Sequence, residues 1–131
     1  MKRLLAVIVS FIFLTGNITS QDKPNFYPSS KFTQNQIESL IVGAKSNNFG
    51  LRKSAIFLIG QYRVKDACSE LLIQFEECND EMLKILIAQS IYKIGCPLTI
   101  EQFKGLAEIE DSFKVKNFCA ILYENYMFAK G

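Results

Sequence analysis

The sequence predicts an all-α protein, a short α-solenoid of about three helix pairs, and three observations carry that expectation. One block of chemistry recurs at a constant step: Leu51, Leu83 and Val115 lie 32 residues apart, as do Arg52, Lys84 and Lys116, then Ala55, Ile87 and Cys119, then Ile59, Ile91 and Tyr123. Asn47, Asn79 and Asp111 keep the same step just upstream, and a polar cap before an apolar residue and a cation is a helix start. Finally, a helix pair of roughly 30 residues with apolar residues on more than one side cannot bury them alone, so stacked neighbours must supply the core.

The chain begins with a different composition. Lys2 and Arg3 precede an apolar run from Leu4 to Leu14 broken only by Ser10, and Ser20 offers a small residue before Gln21. This is the pattern of an export signal over residues 1–20, too short for a stable membrane anchor. Asn17 stands where a lipoprotein signal would need its cysteine, so the expected product is exported without a lipid, to the periplasm or beyond the cell. Residues 21–32, with Pro24 and Pro28 flanking Phe26 and Tyr27, read as an extended leader. It is either a linker or a strap whose aromatic side chains dock on the first helix.

Residues 33–131 form the helical domain. Thr33 caps a helix through Lys45 with Ile37, Leu40, Ile41 and Ala44 on one stripe. Cys68, Leu71, Leu72 and Phe75 repeat the stripe, and Ile100, Phe103 and Ala107 continue it. Lys104 interrupts the third copy, so that helix is expected to be less deeply covered. Alternating with these are helices starting near Asn48, Asp80 and Ser112, about six in all. Gly60 and Gly95 fall near helix ends, and Pro97 cannot continue a helix.

The run LRKSAIFLIGQYRVKDACSELL, residues 51 to 72, resembles a HEAT-type repeat of the bacterial kind: an apolar-basic pair, small residues, a leucine-glycine step, a turn and a second helix. LKILIAQSIYKIGCPLTIEQF, residues 83 to 103, is a weaker copy, and Val115 to Tyr126 looks like the first helix of a third. Tyr92 standing at the Gly60 position and Cys96 at the turn aspartate are departures. The resemblance implies a binding scaffold. It also implies an alternative, an enzyme or enzyme accessory, since bilin lyases and some DNA glycosylases are built on HEAT-like helices.

The residue inventory narrows the chemistry. There is no histidine, which excludes serine-histidine and cysteine-histidine nucleophiles and histidine-bearing metal sites. Glu76-Glu77 and Asp80-Glu81 sit at a helix end and a helix start, where carboxylates serve as caps and dipole partners. No glycine-rich phosphate loop occurs, so no cofactor, metal or catalytic residue is expected. The chain carries 15 basic and 13 acidic residues; without Lys2 and Arg3 the basic count falls to 13 and the product is neutral. Neutrality and the lack of Trp argue against nucleic acid as a partner. No membrane association is expected once the signal is removed.

Arg52, Lys84 and Lys116 form a charged row, expected to bond turn residues of the adjacent repeat in register with Asn48, Asp80 and Ser112; a ligand-binding basic strip is the other reading. Four cysteines in an exported chain raise the question of disulfides. Cys119 repeats core positions and is expected to be a buried thiol, whereas Cys78 lies in a polar turn open to exposure. Cys68 opens one helix and Cys96 closes the next; antiparallel neighbours bring those ends together, so a disulfide is one reading and a plain core position for Cys68 the other.

The favoured function is protein–protein interaction, with a protein or peptide lying along the second helices of each pair. Ser39, Glu70 and Gln102 repeat in register on their polar side, with Val42 and Ile73 as apolar outward positions, unless those two simply pack on neighbours. A second surface is expected at the last helix, which has no following helix to cover Leu122, Tyr126 and Met127. A partner or homodimer through that helix would cover it, or Tyr126 would turn its hydroxyl outward.

Overall fold

The computed structural model describes residues 32–131; the signal over 1–20 and the leader before Phe32 lie outside the described residues. Among the described residues the protein is all-helical, with six α-helices in chain order: α1 (Gln34–Ala44), α2 (Phe49–Gln61), α3 (Cys68–Glu77), α4 (Glu81–Ile94), α5 (Pro97–Glu108) and α6 (Phe113–Lys130). A short 3-10 turn, Lys65–Ala67, leads into α3. None of these helices is long and apolar enough to cross a membrane.

The 32-residue step survives as geometry. Asn48, Asp80 and Ser112 each stand in extended backbone one residue before α2, α4 and α6, and each side chain accepts a hydrogen bond from the N–H three residues on, at Leu51, Leu83 and Val115. Each cap satisfies one of the N–H groups that a helix start leaves without a partner. α1 begins with a reciprocal box in which Thr33 and Gln36 exchange side-chain and backbone bonds. α3 and α5 have no side-chain cap; α5 starts instead with Pro97, whose missing N–H costs nothing at that position. Gly95 ends α4 at φ +73°, a left-handed conformation in which a Cβ would be strained.

α2, α4 and α6 pack side by side in one row; α1 lies on α2, α3 on α4 and α5 on α6, and α3 also touches α5. The core runs between the rows through Ile56, Ile59, Leu71, Phe75, Ile87, Ile91, Ile100, Phe103 and Val115, all buried. Each such side chain removed from water contributes about 1.5–3 kcal/mol. Phe75 and Phe103 meet edge to face at 4.8 Å, and Tyr92 approaches Phe103 at 5.7 Å, tying α3, α4 and α5 together. Lys104, partly exposed as its break in the stripe predicts, lays its ammonium 4.8 Å from the Tyr123 ring centre on α6.

Gly60 has a role that its position near a helix end does not reveal. It is the penultimate residue of α2, and a Cβ built there would lie 2.8 Å from the Ser90 Cα on α4. The glycine is needed for close helix approach, not for a turn.

Candidate interaction surfaces

The cation row is tied inward at two of its three positions. Arg52 Nη2 donates to Gln74 Oε1 at 2.5 Å, Gln74 Nε2 donates to Glu70 Oε1 at 2.7 Å, and Glu70 Oε2 pairs with Lys45 Nζ at 3.2 Å. One chain of polar contacts thus joins α2, α3 and the end of α1. Lys84 Nζ pairs with Glu110 Oε2 at 2.6 Å, both side chains nearly covered at 13% and 11% exposure, and lies 5.0 Å from the Phe75 ring centre. Lys116 is exposed and makes no ion pair among the described residues. The expected acceptors are therefore corrected. Asn48, Asp80 and Ser112 are occupied as caps, and the cations reach the C-terminal end of the second helix, or the turn after it, in their own pair.

Glu70 is corrected with them. Nominated as an outward polar residue, it is partly buried and committed to Gln74 and Lys45. Ser39 and Gln102 are exposed; Ser39 Oγ donates back to the Asn35 carbonyl. Val42 and Ile73 do not pack away: they are 68% and 47% exposed. The second-helix row therefore presents Ser39, Val42, Ile73 and Gln102 to solvent, without Glu70.

At the last helix the geometry redistributes the expected face. Leu122 and Tyr126 follow Val115 and Cys119 along the side of α6 that meets α4, so both are partly buried against the core, and the Tyr126 ring sits 5.9 Å from that of Tyr92. Met127 is 46% exposed, and the most exposed large apolar side chain among the described residues is its neighbour Phe128, at 89%. Ile121 and Phe113 are exposed on the same helix. The uncovered residues of α6 are thus Phe113, Ile121, Met127 and Phe128, shifted around the helix from the pair Leu122 and Tyr126.

Among the concave features of the described residues, two bear on the candidate surfaces. A groove of about 430 Å³ lies between α1 and α2, lined by Phe32, Leu40, Leu51, Leu58 and Tyr62 with Ser39 and Asn35 among its polar atoms. A smaller one, about 200 Å³, lies between α5 and α6, where Tyr92, Lys104, Lys116, Cys119 and Glu124 converge. The Tyr92 hydroxyl is buried there with no bond to any described group. Burial pushes the Tyr92 phenol well above its ordinary value, and burial, with Glu110 nearby, pushes the Cys119 thiol up to about 12. Cys119 is therefore a neutral, unreactive thiol at physiological pH.

Cys68 and Cys96 are joined by a disulfide with Cα atoms 6.9 Å apart, linking the start of α3 to the end of α4 as antiparallel neighbours require. Cys78 departs from its expected exposure. It caps α3 in extended backbone that turns the sulfur into the core, so the thiol is buried although its neighbours Asn79 and Asp80 are exposed. No group of three or more Cys, Asp or Glu side chains is arranged to hold a metal among the described residues.

The chain matches no family model, no curated protein and no solved structure.

Proposed function

We propose that this protein is a small exported scaffold of the HEAT-like, α-solenoid type that binds a protein or peptide and has no catalytic activity of its own. The single observation that carries the reading is the exposure of Val42 and Ile73 on the row of second helices, at positions the packing leaves unused. Large apolar side chains held in water beside polar Ser39 and Gln102 suit a contact surface of apolar centre and polar rim. The exposed side of α6, with Met127 and Phe128, supports a second contact, a homodimer through that helix.

The test compares the wild-type chain with Val42→Glu/Ile73→Glu and with Met127→Glu/Phe128→Glu. Tyr126 is left intact because its ring packs on Tyr92. Affinity capture from the envelope of the producing cell should retain one defined protein on the wild type and lose it on the first variant. Sedimentation should show a dimer that the second variant dissociates. Identical capture profiles and identical monomeric masses for all three chains would refute the scaffold reading.

A further inference from the structure

α2 and α4 each use one side to receive the next helix of their row. On α2 that side carries Ile56, whose carbonyl accepts from the Ser90 hydroxyl of α4, and Gly60, where a Cβ would meet the Ser90 Cα. The 32-residue step carries Ile56 and Gly60 onto Ala88 and Tyr92 of α4; Ala88 is buried, and the Tyr92 ring meets that of Tyr126 on α6. One step further lie Ala120 and Glu124 of α6, and both are exposed. Phe113, Lys116 and Met127 are exposed beside them, and at roughly 100° per residue all five fall within an arc of about 80° centred on Ala120. Neither Lys116 nor Glu124 has an opposite charge three or four positions away along α6. Lys104 and Glu108 border this side from α5, and no ion pair joins them to Lys116 or Glu124 among the described residues.

We propose that α6 docks antiparallel on α6 of a second copy, the two helices crossing at Ala120, so that Lys116 of each copy pairs with Glu124 of the other and Phe113 packs on Met127. The side is self-complementary in that arrangement alone. Lys116 and Glu124 lie about 6 Å along the axis before and after Ala120, and Phe113 and Met127 about 10 Å before and after it. A two-fold axis at Ala120 sets each residue opposite the one equally far beyond the crossing in the other copy, so cation meets carboxylate twice and apolar meets apolar twice. Parallel helices would instead place Lys116 against Lys116 and Glu124 against Glu124, which repel. The small Ala120 side chain at the crossing lets the helix axes approach to the roughly 8–10 Å of packed helices. The pairing rests on the homodimer reading above and adds the direction and register that it leaves open.

Sedimentation equilibrium of Lys116→Glu and of Glu124→Lys tests the proposal. Either change alone sets like charges at both pairs of the dimer and should raise its Kd roughly tenfold or more. An equimolar mixture of the two variants should return to the wild-type Kd as a heterodimer, because one copy then offers two carboxylates and the other two ammonium groups. Lys116→Glu/Glu124→Lys in one chain should return to it as well. Single variants that dimerise like wild type, or a mixture no tighter than the singles, overturn the register; if Met127→Glu/Phe128→Glu still dissociates the dimer, the homodimer reading survives that result. A wild-type chain that stays monomeric overturns both. Independently, Ala120→Cys should form a disulfide between copies on mild oxidation, whereas Ala129→Cys, whose two copies lie about 27 Å apart in this register, should not. Any other cross-linking pattern overturns the antiparallel crossing.

Discussion

Ser90 donates a 3.0 Å hydrogen bond to the carbonyl of Ile56 at the point where Gly60 lets α2 press against α4. The contact is between backbones, since the Ser90 Cα itself lies within 2.8 Å of where a Gly60 Cβ would be. Gly60→Ala should therefore destabilise the fold by about 1–3 kcal/mol despite the better helix propensity of alanine. Urea unfolding measures this, and a midpoint equal to or above wild type would contradict the close approach.

The Lys84–Glu110 pair is nearly covered, so removing one partner strands the other. Lys84→Met should cost about 3 kcal/mol, and Lys84→Met/Glu110→Leu should recover most of that loss. A double-mutant cycle by chemical denaturation reads both values; additive single effects would mean that the pair is uncoupled.

Reducing the Cys68–Cys96 bond, which closes a sequence separation of 28 residues, should lower stability by about 3 kcal/mol through the entropy returned to the unfolded chain. Unfolding with and without reductant checks it, with Cys68→Ser/Cys96→Ser as the control that should no longer respond to reductant.

Alkaline pH should unfold the protein earlier than its charge balance alone would. Cys119 ionises near 9.0 when unfolded and only at about 12 when folded. Between those values the unfolded chain holds fewer protons than the native one, so stability is fully present below about pH 9 and falls as pH rises toward 12. Tyr92, pushed upward by burial, adds to the loss in the same direction. Cys119→Ala should flatten the alkaline limb of a Tm-against-pH curve. Thiol titration at pH 8 should leave Cys119 unmodified until denaturant is added.

The period was legible in the sequence because local chemistry sets it, but the caps are Asn48, Asp80 and Ser112, each one residue after the Asn47, Asn79 and Asp111 that the repeat first suggested, because only the residue whose side chain reaches the N–H three positions on closes the helix start. The stripes through Leu71 and Phe103 were legible for the same reason as the period. The reach of Arg52 and Lys84 was not, because long flexible side chains choose among acceptors that only the packed helices bring near. Nor was the burial of Cys78, which depends on one extended backbone residue after α3. At α6 the stripe identified the right helix but assigned Leu122 and Tyr126 to the wrong side. Periodicity gives relative angles along a helix and not the absolute direction of its neighbour α4.

The pairing of Gly60 with Ser90 also constrains the order of the repeats. One step later Tyr92 replaces Gly60 and Leu122 replaces Ser90, and these two line one groove between α4 and α6. Inserting a second copy of residues 80–111 would set Tyr92 against another Ser90, where α2 itself has room only for glycine. A second copy of residues 48–79 would set Gly60 against another Leu58, leaving the seam to be filled by a leucine with no bulky residue opposite. The units share a period yet are not interchangeable, so each junction carries its own lock, and shuffling the modules would scramble the stack even with every helix intact.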